Sequence, residues 1–78
     1  KNDINFSIYP NPSNNKAYIN CIKNIQRLEL TDMSGKVLLK EFNIDKQYTI
    51  DLTKYPSNIY FLRAFTDKGV VTKKLVIN

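Results

Sequence analysis

An antiparallel β-sandwich is the fold class this sequence predicts, and three observations carry it. Apolar and polar residues alternate at period two, and no segment sustains a helical stripe. Seven such runs are separated by short turns rich in Pro, Gly, Asn and Asp, the spacing of a small all-β domain. One run is apolar on both faces, as a central strand requires. With 78 residues, 42% of them hydrophobic, the chain makes one small folded domain and not a disordered tail. A domain of this size buries only about 60% of its unfolded surface, so its core is thin.

The first strand is predicted over Asn5–Tyr9, with Phe6 and Ile8 on one face. Pro10-Asn11-Pro12 ends it, because proline lacks a ladder donor and fixes its own φ. Ser13-Asn14-Asn15-Lys16 is turn chemistry, and the second strand runs Ala17–Ile22. The third, Ile25–Asp32, points Leu28 and Leu30 inward and Arg27 and Glu29 outward. Asp32-Met33-Ser34-Gly35 reads as a hairpin turn, since Asp bonds the backbone ahead of it and Gly35 takes positive φ at little cost.

Val37–Phe42 returns as the fourth strand, and Gln47–Asp51 is the fifth, with Tyr48 and Ile50 on one face. Leu52-Thr53-Lys54-Tyr55-Pro56 is too short for a helix and crosses between sheets; a single 3₁₀ turn there would tuck Leu52 and Tyr55 inward. Ile59–Thr66 is the central strand, with Tyr60, Leu62 and Ala64 opposite Ile59, Phe61 and Phe65. Thr66-Asp67-Lys68-Gly69 then turns the chain into the last strand, Val70–Ile77.

Composition removes several function classes. The chain has no His, and its seven acids are dispersed, mostly at strand ends and turns where Asp serves the local backbone. No metal-ligand cluster, acid/base pair or glycine-rich phosphate loop is present, so neither enzyme chemistry nor a cofactor is expected. Cys21 is the single cysteine, expected to pack as a small buried hydrophobe. The net charge of +5 comes from 12 basic residues scattered along the chain, which suits solvated strand faces better than a nucleic-acid surface. No apolar run approaches the ~20 residues of a membrane helix, so no direct membrane insertion is expected. The start at Lys1-Asn2-Asp3, without a leader or an initiator Met, is expected of a fragment of a longer protein.

Four segments in fixed order carry a resemblance: Ile8-Tyr9-Pro10-Asn11-Pro12, Asp32-Met33-Ser34-Gly35-Lys36-Val37-Leu38, Leu52-Thr53-Lys54-Tyr55-Pro56-Ser57-Asn58-Ile59-Tyr60-Phe61-Leu62, and the closing Lys73-Lys74-Leu75-Val76-Ile77-Asn78. Together they resemble the C-terminal sorting domain of type IX secretion substrates, the Por-type tail of Bacteroidetes, over nearly the whole chain. The resemblance implies an immunoglobulin-like sandwich of seven antiparallel strands, with Tyr9, Pro10, Asn11, Pro12, Gly35, Pro56, Asn58 and Tyr60 in structural motif positions. Asn58 stands where the family usually has Gly, and Asn is the next most tolerant residue for left-handed backbone.

The resemblance also implies a secretion signal at the end of a larger cargo protein, with residues 1–78 one sorting domain and residues 1–5 the end of a linker. The implied partners are an outer-membrane shuttle and translocon and a sortase-like peptidase, which removes the tail and attaches the cargo to the cell surface after transit through the periplasm. The sorting-signal candidates are Lys73, Lys74, Leu75, Val76, Ile77 and Asn78. A terminal strand at a sheet edge offers unpaired backbone groups to a partner by strand addition. Val70–Ile77, tethered by only one turn, is the element expected to swap or pair in a dimer. The competing reading is an accessory immunoglobulin-like module of an adhesin, binding carbohydrate or protein, with Tyr18 and Tyr48 as aromatic candidates.

Overall fold

The computed structural model describes residues 6–78 and contains seven strands, with no helix among the described residues. They are β1 (Phe6–Tyr9), β2 (Lys16–Cys21), β3 (Ile25–Thr31), β4 (Val37–Ile44), β5 (Gln47–Asp51), β6 (Asn58–Thr66) and β7 (Gly69–Ile77). The expected linker, residues 1–5, lies outside the described residues. Every strand pair is antiparallel, in two sheets ordered β1-β2-β5 and β4-β3-β6-β7. The chain therefore changes sheet after β2, after β4 and after β5, which is an immunoglobulin-like sandwich.

Period-two alternation puts one side chain in two between the sheets. Phe6, Ile19, Leu28, Leu30, Ile50, Leu62 and Leu75 are all at most 2% exposed and form the centre of the core. Leu52, on the β5–β6 crossing, is buried beside them, and Tyr55 packs half-buried against the cluster. The Tyr55 amide donates to the Leu52 carbonyl at 3.1 Å, so one turn seats both residues, as the three-residue spacing predicts.

The same crossing carries a tyrosine corner. Tyr60 is 3% exposed at the start of β6, and its hydroxyl donates to the Pro56 carbonyl four residues upstream at 2.6 Å. That bond is a recurring feature of immunoglobulin-like sandwiches at this corner. Tyr60 and Pro56 thus act together, fixing the angle at which β6 enters the second sheet.

Two aspartates close turns as the sequence indicates. Asp32 Oδ1 accepts from the Ser34 hydroxyl (2.6 Å), the Ser34 amide (2.9 Å) and the Lys36 amide (3.0 Å), with Gly35 at φ 91°. Asp51 Oδ1 accepts from the Thr53 amide and hydroxyl at 3.0 and 2.7 Å. The Ser34 hydroxyl chiefly lowers the pKa of Asp32, and the Thr53 amide that of Asp51, below the ordinary 3.8. Both turns favour the folded state above that pH, and they lose this contribution as pH falls through the lowered values.

Three expectations are corrected. The second strand stops at Cys21, leaving Ile22 73% exposed, and the fourth runs two residues further, to a buried Ile44. Asn58 needs no left-handed backbone: among the described residues the non-glycine positions at positive φ are Asn43 (56°), near the end of β4, and Lys46 (74°), within the tight β4–β5 crossing. Asn58 instead opens β6 opposite Ile77. Glu29 points outward as expected yet is only 5% exposed, because Arg63 Nη2 donates to it at 2.7 Å and Arg27 Nε lies 3.2 Å away.

Removing the phenol hydroxyl by Tyr60→Phe leaves the Pro56 carbonyl without its donor. Stability should fall by about 1–2 kcal/mol, seen as a lower urea midpoint at unchanged m. An unchanged midpoint would mean the corner does not hold the crossing.

Candidate recognition site

β7 is an edge strand with β6 on one side only, in unbroken register from Asn58↔Ile77 to Thr66↔Gly69. The last part of its other edge is occupied by the β1–β2 loop. Asn11 Nδ2 donates to the Lys74 carbonyl at 2.9 Å, and the Val76 amide donates to Asn11 Oδ1 at 3.0 Å. One residue pair further along, the Ser13 amide donates to the Val76 carbonyl and the Asn78 amide to the Ser13 carbonyl, each at 2.8 Å. The Asn11 carboxamide thus imitates a peptide unit of a neighbouring strand, and Ser13 completes a parallel bridge with Ile77.

The sequence places a proline on each side of Asn11 for a local reason. A loop that must lay one side-chain amide flat along a strand benefits from fixed φ on both sides. Both bonds into those prolines, Tyr9–Pro10 and Asn11–Pro12, are cis. Ser13 is fully buried, and its hydroxyl donates to the Pro10 carbonyl, closing the loop on itself. The Asn15 carbonyl accepts from the Leu52 amide at 2.8 Å, so the same loop also holds the β5–β6 crossing.

The terminal candidates divide into distinct roles. Leu75 and Ile77 are core residues, 0% and 3% exposed, and Val76 is half-buried on the outer face. Lys73 shares the inward-facing register with Leu75, and its ammonium lies over the ring of buried Phe6, 5.3 Å from the centroid. Lys74 is exposed on the opposite face beside Phe61. The adjacent lysines therefore point to different sides of the sheet, and Asn78 is exposed with its amide bound to Ser13.

This corrects the expectation of a wholly open terminal edge. Backbone groups alternate sides along a strand, so those of Val70 and Thr72 and the Lys74 amide point the same way as the bonded Val76 groups. Among the described residues they have no backbone partner outside β6. The segment open to strand addition is the first half of β7, not its end.

The remaining motif residues make local contacts. Gly35 supplies the positive φ of its turn, and Tyr9 stacks on Tyr18 with ring centroids 5.6 Å apart. Tyr18 is 41% exposed on the three-stranded sheet, but Tyr48 lies half-buried on the inner face. Burial, then the neighbouring Glu41 carboxylate, push the Tyr48 phenol up to about 12. The two tyrosines do not form one aromatic platform. Cys21 is a free, buried thiol whose pKa is raised chiefly by burial. It borders an open hollow of about 510 Å³ lined by Phe6, Ser7, Asn20, Ile22, Lys46 and Gln47, and the chain has no His to activate it. No group of three metal-ligating side chains occurs among the described residues.

A β-sandwich whose opening loop and closing strand are hydrogen-bonded together, with its chemistry confined to surface and edge, is a folded recognition module. The chain belongs to the secretion system C-terminal sorting domain family, whose model matches residues 7–78. It is a sorting signal of type IX secretion, which sends the protein carrying it to the outer membrane, the cell surface or the medium. The domain itself is not the catalytic part of such a protein, and its partner is the type IX machinery. Comparison with curated proteins finds no significant match. Sequence reasoning singled out Tyr9–Pro12 and Lys73–Asn78 but not the contact between them, because a side chain that imitates backbone leaves no periodic signal.

Replacing Asn11 by Ala removes both side-chain bonds to β7 and should cost about 1–2 kcal/mol of stability. Asn11→Asp keeps the acceptor for the Val76 amide and should fall between wild type and Ala in urea melts. Equal midpoints for all three proteins would show that the loop does not hold the strand.

Proposed function

We propose that residues 1–78 form a single sorting domain at the end of a larger cargo protein, read by the outer-membrane shuttle and translocon through its last strand. The cargo crosses the inner membrane by a separate signal and transits the periplasm. A sortase-like peptidase then removes the domain and attaches the cargo at the surface. The observation that carries this reading is the family match over 72 of 78 residues, 7–78 inclusive, ending in a strand fixed by Asn11 and Ser13. A machine that exports unrelated cargoes needs an address whose shape does not depend on them, and a strand held on both edges provides one. Lys73, Lys74, Val76 and Asn78 are the residues within reach of a partner, whereas Leu75 and Ile77 act by holding the strand in the core. The open edge at Val70–Lys74 also permits dimers at high concentration, by edge pairing or by exchange of β7.

Deleting Lys73–Asn78 from the cargo protein should leave it synthesised but retained in the periplasm. Fusing residues 1–78 to a periplasm-directed reporter should bring that reporter to the surface of a type IX-competent host. Because the deletion removes two core residues, Lys74→Ala and Lys73→Ala are each tested alone. Lys74→Ala should spare the fold and lower export, while Lys73→Ala also uncovers Phe6. Normal surface levels of the truncated cargo would overturn the reading.

A further inference from the structure

The outer face of the four-stranded sheet is unlike a solvated sandwich face. Antiparallel sheets with one side in water alternate apolar-in and polar-out, yet three of the chain's four Phe residues lie on this outer side. Register aligns Phe42, Arg27, Phe65 and Val70 in one row across all four strands. The ends of the row, Phe42 and Val70, are 60% and 50% exposed. The Arg27 guanidinium carbon sits 4.0 Å from the Phe65 ring centroid, which flattens the middle of the row. The next row is Lys40, Glu29, Arg63 and Thr72, and the third brings Phe61 beside Lys74.

Charge and area define what fits this face. Four cations (Arg27, Lys40, Arg63, Lys74) against one anion (Glu29) leave 4 − 1 = +3. Glu29 is spent on its two arginines, with Arg27 Nε 3.2 Å from its carboxylate, and the buried Nε of Arg63 lacks a hydrogen-bond acceptor. Four strands about 4.8 Å apart and up to nine residues long present roughly 600 Å², below the roughly 800 Å² per partner of a stable interface. A second copy would set +3 against +3 over too small an area. Nucleic-acid stacking needs neighbouring free ring faces, and here Arg27 lies between Phe42 and Phe65 and covers the latter.

We propose that this face docks transiently onto a protein surface that rings an apolar centre with carboxylates. Phe42 and Val70 meet the apolar centre, and Lys40, Arg63 and Lys74 meet the carboxylates. The chemistry of the surface is independent of the sorting reading, which supplies only the setting where the partner is met.

The test places p-benzoylphenylalanine at position 42 of the reporter-fused chain in the type IX-competent host, with position 18 on the opposite sheet as control. Irradiation should give a protein adduct from position 42, with Asp or Glu flanking apolar residues at the crosslinked peptide. Lys40→Glu, which lowers the face from +3 to +1, should weaken that adduct about tenfold; Lys40→Gln repeats the test without a new anion beside Glu29. No protein adduct, adducts to lipid or to a second copy, or equal yields from positions 42 and 18 would overturn the proposal. So would an adduct indifferent to both Lys40 variants with the urea midpoint unchanged. Failure of the parent reporter to reach the surface would count against the sorting reading alone.

Discussion

The four hydrogen bonds between the β1–β2 loop and β7 are the constraint on which the rest of this structure depends. The loop belongs by sequence to the three-stranded sheet, and β7 is the edge of the other sheet. Asn11 and Ser13 join them, and Asn15 joins the loop to the β5–β6 crossing. Core packing alone holds the two sheets face to face, a non-directional force that tolerates sliding. Directional bonds at one end fix the register between them. The closing strand therefore has a defined position in a domain whose core is thin.

Two kinds of energy meet at that strand. Leu75 and Ile77 contribute burial, about 1.5–3 kcal/mol for a fully buried side chain of this size. The loop bonds contribute about 1 kcal/mol each at most, less where solvent reaches them. Burial thus contributes more, but it does not decide whether the edge is open. The loop does, closing the end of β7 while Val70–Lys74 stays available. An edge left wholly open would pair with any strand it met; an edge half closed can be read without being sticky along its length.

Much of this was legible in the residues. Alternation gave the seven strands in order, and Asp32-Met33-Ser34-Gly35 gave its turn because the Asp side chain and Gly35 backbone chemistry are local. Cys21 and Leu52 are buried, and Tyr55 is half-buried, as their spacing indicates. Lys46 escaped notice because a lysine at positive φ is imposed by a two-residue sheet crossing, not by its own preference. Glu29 looked exposed because period two reports direction, whereas its burial comes from Arg27 and Arg63, one of them 34 positions away. The loop–strand contact spans 63 and 65 positions through one carboxamide, which no window along the chain can register. The family resemblance singled out the opening and closing segments, and the fold joins them by hydrogen bonds.

Amide hydrogen exchange resolved by residue tests the loop–strand contact most directly. If Asn11 and Ser13 close the end of β7, the Val76 and Asn78 amides should be protected nearly to the level of global unfolding. The Thr72 amide on the same edge should exchange at least about a hundredfold faster. Val76 and Asn78 amides exchanging as fast as Thr72 would contradict the account, because the terminal strand would then be frayed and its position undefined.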